Sequence, residues 1–232
     1  MNDRTTRDTG APKADEDDGL IERIEAADVA LSEEAGKLRD HPLVEAAGAA
    51  SEIADQPPAL QLAALAVAAG VLAGRPRLAE GGVRAFLALT VAIQTKAAIK
   101  KAVVRTRPYK LLDEGHYETG VGGPDEHPYN SFPSGHTADA FAAAQAIGRV
   151  APGLRGPALG LAALIGLVQV PRATHHLADV VAGAAVGVAA EAAVAAAMGV
   201  IPQEEMRRVR MGVARRSWLP GAGRGEERTS RG

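Results

Sequence analysis

Cysteine is absent from this 232-residue chain, which excludes disulfides, thiolate nucleophiles and cysteine-ligated zinc or iron–sulfur sites. Aromatic residues are scarce, at 3% of the sequence, and no basic stripe is interleaved with them. With a formal net charge of -2, this argues against nucleic acid as a partner. Also missing is an apolar stretch behind a basic start: Met1 to Asp18 is polar and charged, so no cleavable secretory signal is expected. The absence of disulfides does not fix the compartment. The length suits one domain with a sizeable core and tails.

What is present is an apolar middle between polar ends, and the mean hydropathy of -0.03 hides it by averaging. Pro57 to Gly74 contains no charged residue, close to the roughly 20 residues a helix needs to cross a bilayer core. Arg84 to Ile99, Thr137 to Val150, Gly156 to Val170 and Leu177 to Ile201 follow, richer in alanine and interrupted by Lys96, Asp139 and Glu191. Five such segments in series favour a membrane-embedded bundle over a soluble one. The chain divides into a disordered tail over 1–19, an amphipathic helical segment over 20–56, a helical domain over 57–201 and a basic C-terminal tail over 202–232. Expected core helices cover Pro58–Gly74, Gly82–Arg105, a start at Ser134–Thr137 ending before Pro152, Pro157–Val170, and a start near His175 ending before Pro202. The polar stretch from Tyr109 to Phe132 is too long for an ordinary connection.

In an antiparallel bundle, the second helix's end, the third's start, the fourth's end and the fifth's start emerge on one side. Three chemical clusters lie there. Lys100 and Arg107 are two helical turns apart and share a face if the helix persists, so that two cations meet a phosphate; a basic helix end near headgroups has the same composition. Pro133-Ser134-Gly135-His136 offers a capping serine, first-turn amides over Ser134 and Gly135 for an anion, and a titratable proton donor in His136. An ordinary loop-to-helix cap fits the same four residues. His175 and Asp179 are four apart, so the carboxylate can take the Nδ1 proton and leave Nε2 as a nucleophile, with Arg172 close by to stabilise phosphoryl oxygens. A satisfied polar pair, or a metal on His175, His176 and Asp179, are the other readings.

Together the clusters resemble the type 2 phosphatidic acid phosphatase (PAP2) superfamily, which includes bacterial acid phosphatases and vanadium haloperoxidases. Its pattern is Lys-x6-Arg-Pro, Pro-Ser-Gly-His, and Ser-Arg-x5-His-x3-Asp. The first element matches at Lys100, Arg107 and Pro108, the second at Pro133 to His136, and the third at His175 and Asp179. The family's Ser-Arg falls on Val168-Gln169; Arg172 lies three residues before His175 instead of six. The resemblance implies an all-α, antiparallel helical bundle of PAP2/haloperoxidase type with about five core helices. It also implies a metal-independent phosphatase acting on a lipid phosphate or pyrophosphate, without a cofactor. His175 would be the nucleophile, oriented by Asp179, and His136 the acid and base. Lys100, Arg107, Ser134, Gly135 and Arg172 would bind phosphate. A soluble acid phosphatase or haloperoxidase-like enzyme, and a non-catalytic protein that binds anionic lipid, are the alternatives.

Arg75, Arg77, Arg84, Arg149, Arg155 and the arginines after residue 206 lie opposite the clusters. The positive-inside rule then makes this a multi-pass cell-membrane protein with its site outside the cytoplasm. The lipid involved and the oligomeric state are not written in these residues.

Overall fold

Four helices open on a proline, whose fixed φ suits the first helical position and whose missing N–H costs nothing there. They are α2 (Pro42–Ser51), α3 (Pro58–Leu72), α4 (Pro76–Ala102) and α5 (Pro108–Glu114). The others are α1 (Glu16–Gly36), α6 (Gly135–Val150), α7 (Arg155–Leu167) and α8 (Leu177–Gly199). A 3-10 turn, Glu52–Ala54, follows α2. The computed structural model describes residues 16–122, 126–199 and 211–212. The expected tails lie outside these except for 16–19, where α1 already begins, and 211–212.

The bundle consists of α3, α4, α6, α7 and α8, the five expected core helices. Alanine and glycine let them approach at backbone distance. A Cβ on Gly70 of α3 would come 2.3 Å from the Ala79 nitrogen of α4, and one on Gly187 of α8 would come 2.3 Å from the Ala138 oxygen of α6. The core between α3, α4, α6 and α8 is built from Ala59, Ala63, Ala88, Leu89, Ala92, Ala142, Ala146 and Val194. Neighbouring helices are antiparallel, apart from α6 and α8. These run side by side in the same direction, with Gly183 against Ser134 at one end and Glu191 bound to Arg149 (3.1 Å) at the other. Both start on the side where α4 and α7 end, which brings the three clusters together.

Among the described residues two helices, α4 and α8, are long and apolar enough to cross a membrane, and only a third of each apolar window is buried. The remaining bundle helices are shorter: 15 residues in α3, 16 in α6 and 13 in α7.

One expectation is corrected. The second core helix begins at Pro76 and stops at Ala102, so Lys100 and Arg107 do not share a helix. Val103–Arg105 forms β1, paired antiparallel with β2 (Thr119–Val121), because the β-branched Val103 and Val104 find partners across the ladder. The long polar stretch therefore has structure of its own: β2, and α5, closed by Gly115 in the left-handed conformation (φ 67°). The amphipathic segment opens with the helix α1, which turns part of its polar side inward. Asp28 and Ser32 of α1 are buried, while Leu20, Ile24 and Leu31 are exposed.

Candidate active site

Lys100 lies in the last turn of α4 and donates from Nζ to the Asn130 carbonyl. Arg107, the residue before α5, is buried and spans two segments. Its Nε donates to the His127 carbonyl (2.8 Å), Nη2 to Asn130 Oδ1 (3.3 Å) and Nη1 to the Thr174 carbonyl (3.2 Å). The strand β1, rather than a shared helix face, sets these two cations on the same loop.

At the start of α6 the expected cradle is narrower. Ser134 is fully buried, its amide donates to the Asp179 carbonyl (2.9 Å), and its hydroxyl accepts from Thr137 (2.9 Å) instead of capping the helix. The groups left to meet an anion here are the first-turn amides from Gly135 onward, which have no acceptor within the helix, and the Ser134 hydroxyl proton, which its bond from Thr137 leaves unused. Beneath this turn, Lys96 Nζ lies 2.5 Å from Asp139 and 3.5 Å from the Gly135 carbonyl.

The turn between α7 and α8 carries the third cluster. Ala173 takes a left-handed conformation (φ 57°) in it, and its carbonyl accepts from the Tyr109 amide (2.8 Å). His175 is buried, and its Nδ1 lies 3.6 Å from Asp179 Oδ2, longer than a hydrogen bond. Ser131 stands beside both, donating to Asp179 Oδ2 at 2.6 Å and lying 3.5 Å from His175 Nδ1. The carboxylate also accepts from the His176 amide (2.8 Å). Burial, against the opposing pull of Asp179 and helped by the charges of Arg107 and Lys100, pushes the His175 imidazole down to about 3. The ring is therefore neutral, and with Nδ1 turned to Ser131 and Asp179, Nε2 is the nitrogen left for chemistry. His176 is a structural residue: its Nε2–H donates to the Thr106 carbonyl (3.0 Å) and its ring meets Tyr117 edge-on.

Arg172 is brought back toward the expected register by its contacts. Gln169, standing where the family pattern has arginine, is fully buried and donates to Ser51 Oγ (3.0 Å) and the Ile165 carbonyl (2.9 Å). Its side-chain oxygen accepts from Arg172 Nη1 (3.2 Å) and from Thr174 Oγ1 (3.0 Å). Arg172 Nη2 donates to Glu52 (2.9 Å), whose other oxygen lies 3.4 Å from His136 Nε2. One network thus joins seven of the eight expected residues, with Lys100, Arg107, His175, Asp179 and Ser134 in one part and His136 with Arg172 in another, linked through Gln169 and Thr174; Gly135 follows Ser134 in the chain and its carbonyl faces Lys96.

The PAP2 superfamily model matches residues 81–201, more than half of the chain, and spans all three clusters. The chain belongs to the PAP2 superfamily. As a PAP2-type phosphatase it is a phosphoric ester hydrolase. Among solved structures, its fold is similar to a transmembrane PAP2-type phosphatidylglycerolphosphate phosphatase from Bacillus subtilis. That likeness has 21% identity and a TM-score of 0.57, covering 78% of this chain and 89% of the other. No curated protein sequence matches it.

Around this PAP2 site the structure adds residues that the motifs do not name. Arg105 is buried between its two motif neighbours and donates to Asp179 Oδ1 (2.6 Å), to Asp28 (2.7 Å) and to Glu25 (3.0 Å) of α1. Burial would lower its pKa, but Asp179 and Asp28 outweigh that and raise it, so it is always a cation. Asp28 also accepts from the Ala178 amide at the start of α8 (3.1 Å). Glu52, Asp55 and His136 set one ligand atom each within 4.8 Å of one another, yet Arg172 already occupies Glu52. Arg105 and Ser131 had a weak signal, as polar residues next to motif positions. Ser51 and Glu52 had none, lying more than 80 residues from their partners.

Proposed function

We propose that this PAP2 protein is a metal-independent phosphatase that hydrolyses a lipid phosphate or pyrophosphate through a phosphohistidine. The observation that carries the reading is the neutral, buried His175, with Nδ1 turned to Ser131 and Asp179 and the charges of Arg107 and Lys100 acting on it. Nε2 attacks phosphorus, and the bond from phosphorus to the leaving oxygen breaks as His136 gives that oxygen its proton. His136 then takes a proton from water, whose oxygen attacks the phosphohistidine. Inorganic phosphate leaves and both rings return to their starting forms. Arg107, Lys100, Arg172 and the amides from Gly135 onward balance the charge on the phosphoryl oxygens.

A lipid substrate is supported by the apolar, largely outward-facing surfaces of α4 and α8. We place the protein in the cell membrane as a multi-pass bundle with the site outside the cytoplasm, because Arg75, Arg77 and Arg155 flank the opposite ends of the helices. With no native cysteine, single cysteines placed at Lys37 and Arg155 report sidedness directly by labelling with an impermeant maleimide. The decisive experiment traps the intermediate. Purified protein mixed with a 32P-labelled lipid phosphate and quenched in alkali should carry acid-labile label. His175→Ala should lose both label and turnover, while His136→Ala should lose about 10²–10⁴-fold in rate. Full turnover by His175→Ala refutes the mechanism.

A further inference from the structure

We infer that Glu52 is a built-in anion that occupies Arg172 and His136 until the phosphoryl group displaces it, and so sets the site's affinity for phosphate. This rests on the reading that these two residues serve a phosphoryl group.

The two oxygens of Glu52 are divided between the groups that two phosphoryl oxygens would need. One accepts from Arg172 Nη2 at 2.9 Å, and the other lies 3.4 Å from His136 Nε2. Partial burial would raise the pKa of this carboxyl, but Arg172 and His136 hold it below its usual range, so it carries its charge at neutral pH. It can also leave. Its side chain is about half exposed, and an ion pair that open to solvent is weak because water and salt screen it.

Arg172 does not depend on Glu52 for its place. Its Nη1 is fixed by Ser51 Oγ (3.2 Å) and Gln169 Oε1 (3.2 Å). Its shaft lies in the space left by Gly48, where a Cβ would come 2.5 Å from Nε. When the carboxylate swings out, the guanidinium remains with Nη2 open and directed at the space Glu52 vacates. The shift of the arginine from position 169 to 172 and the α2 segment that receives it therefore form a matched pair. Gly48 and Ser51 seat the displaced arginine, and Glu52 is the anion it holds while no phosphate is there. Asp55 adds a second negative charge at the same mouth.

The test is binding of inorganic phosphate and orthovanadate to purified full-length protein in detergent micelles, read by calorimetry, which needs no turnover. Glu52→Gln should tighten both anions by about 3- to 15-fold, the size expected for removing one charge near a dianion at a solvated mouth. For a lipid phosphate substrate, the fall in KM should outweigh any change in kcat. In an Arg172→Ala background the gain from E52Q should shrink, whereas Glu52→Asp should bind phosphate within twofold of the parent. Anion affinity unchanged or weakened in E52Q, with the parent binding normally, overturns this inference alone. A parent protein that binds neither anion overturns the phosphate-site reading and this inference with it.

Discussion

Replacing Arg105 with Gln should be among the most damaging single changes outside the motif residues. The guanidinium is almost wholly buried and meets three carboxylates, Asp179, Asp28 and Glu25, at 2.6, 2.7 and 3.0 Å. Removing one partner of a buried pair costs about 3–5 kcal/mol, because the other is left without compensation. Here Asp28 and Asp179 are both buried and would also repel each other. For a chain of this size, 1 kcal/mol moves the Tm by about 2–4 °C, so R105Q should melt roughly 6–20 °C lower in detergent micelles. Turnover should fall as well. Asp179 would keep Ser131 and the His176 amide but lose the group that fixes Oδ1, and a misplacement of about 1 Å costs on the order of 10²-fold. Asp28→Asn in the R105Q background should restore part of the Tm by removing one of the facing charges. A melting point within 3 °C of the parent, with turnover within twofold, would refute the view that Arg105 ties α1 to the Asp179 carboxylate.

Two further outcomes follow from the same geometry. Because burial holds His175 at about 3 in the folded state, against about 6.5 unfolded, the unfolded chain binds more protons between those values. His175 should therefore contribute stability that is fully present above about pH 6.5 and lost as pH falls toward 3; His175→Asn should flatten that part of the Tm-against-pH curve, and an unchanged slope would count against it. Gln169→Arg, which restores the family spacing, should lower both stability and activity, since it forces a second guanidinium into a buried position already in contact with Arg172. Higher activity in Q169R, measured on any phosphate ester the parent hydrolyses, would mean that Arg172 does not do the arginine's work.

The helix order and the position of the site were legible because proline and glycine bound each apolar segment and all three clusters fall at segment ends. The end of α4 at Ala102 was not, because Val103 and Val104 leave the helix only when Thr119–Val121 is there to pair with them. The polarity pattern of α1 was visible, but not which side faces inward: it is held by Arg105 and the start of α8 through Asp28, not by its leucines. The direct His175–Asp179 contact is looser than its spacing suggests, with Ser131 drawn in by a loop 44 residues earlier. Arg172 was found to be out of step from its spacing alone, whereas the residues that accommodate it, Gly48 and Ser51, were hidden by distance along the chain.

The two acids that α1 turns toward Arg105 have a consequence for where this protein can be divided. The shared family region begins at residue 81, yet the carboxylates that neutralise Arg105 and Arg172 come from Glu25, Asp28 and Glu52. Excising the chain at the family boundary would sever three ionic links, leaving Arg105 with Asp179 as its one carboxylate partner and Arg172 with none among the described residues. The matched family region is thus smaller than the set of residues that complete the ionic network around the site, to which Glu25, Asp28 and Glu52 belong.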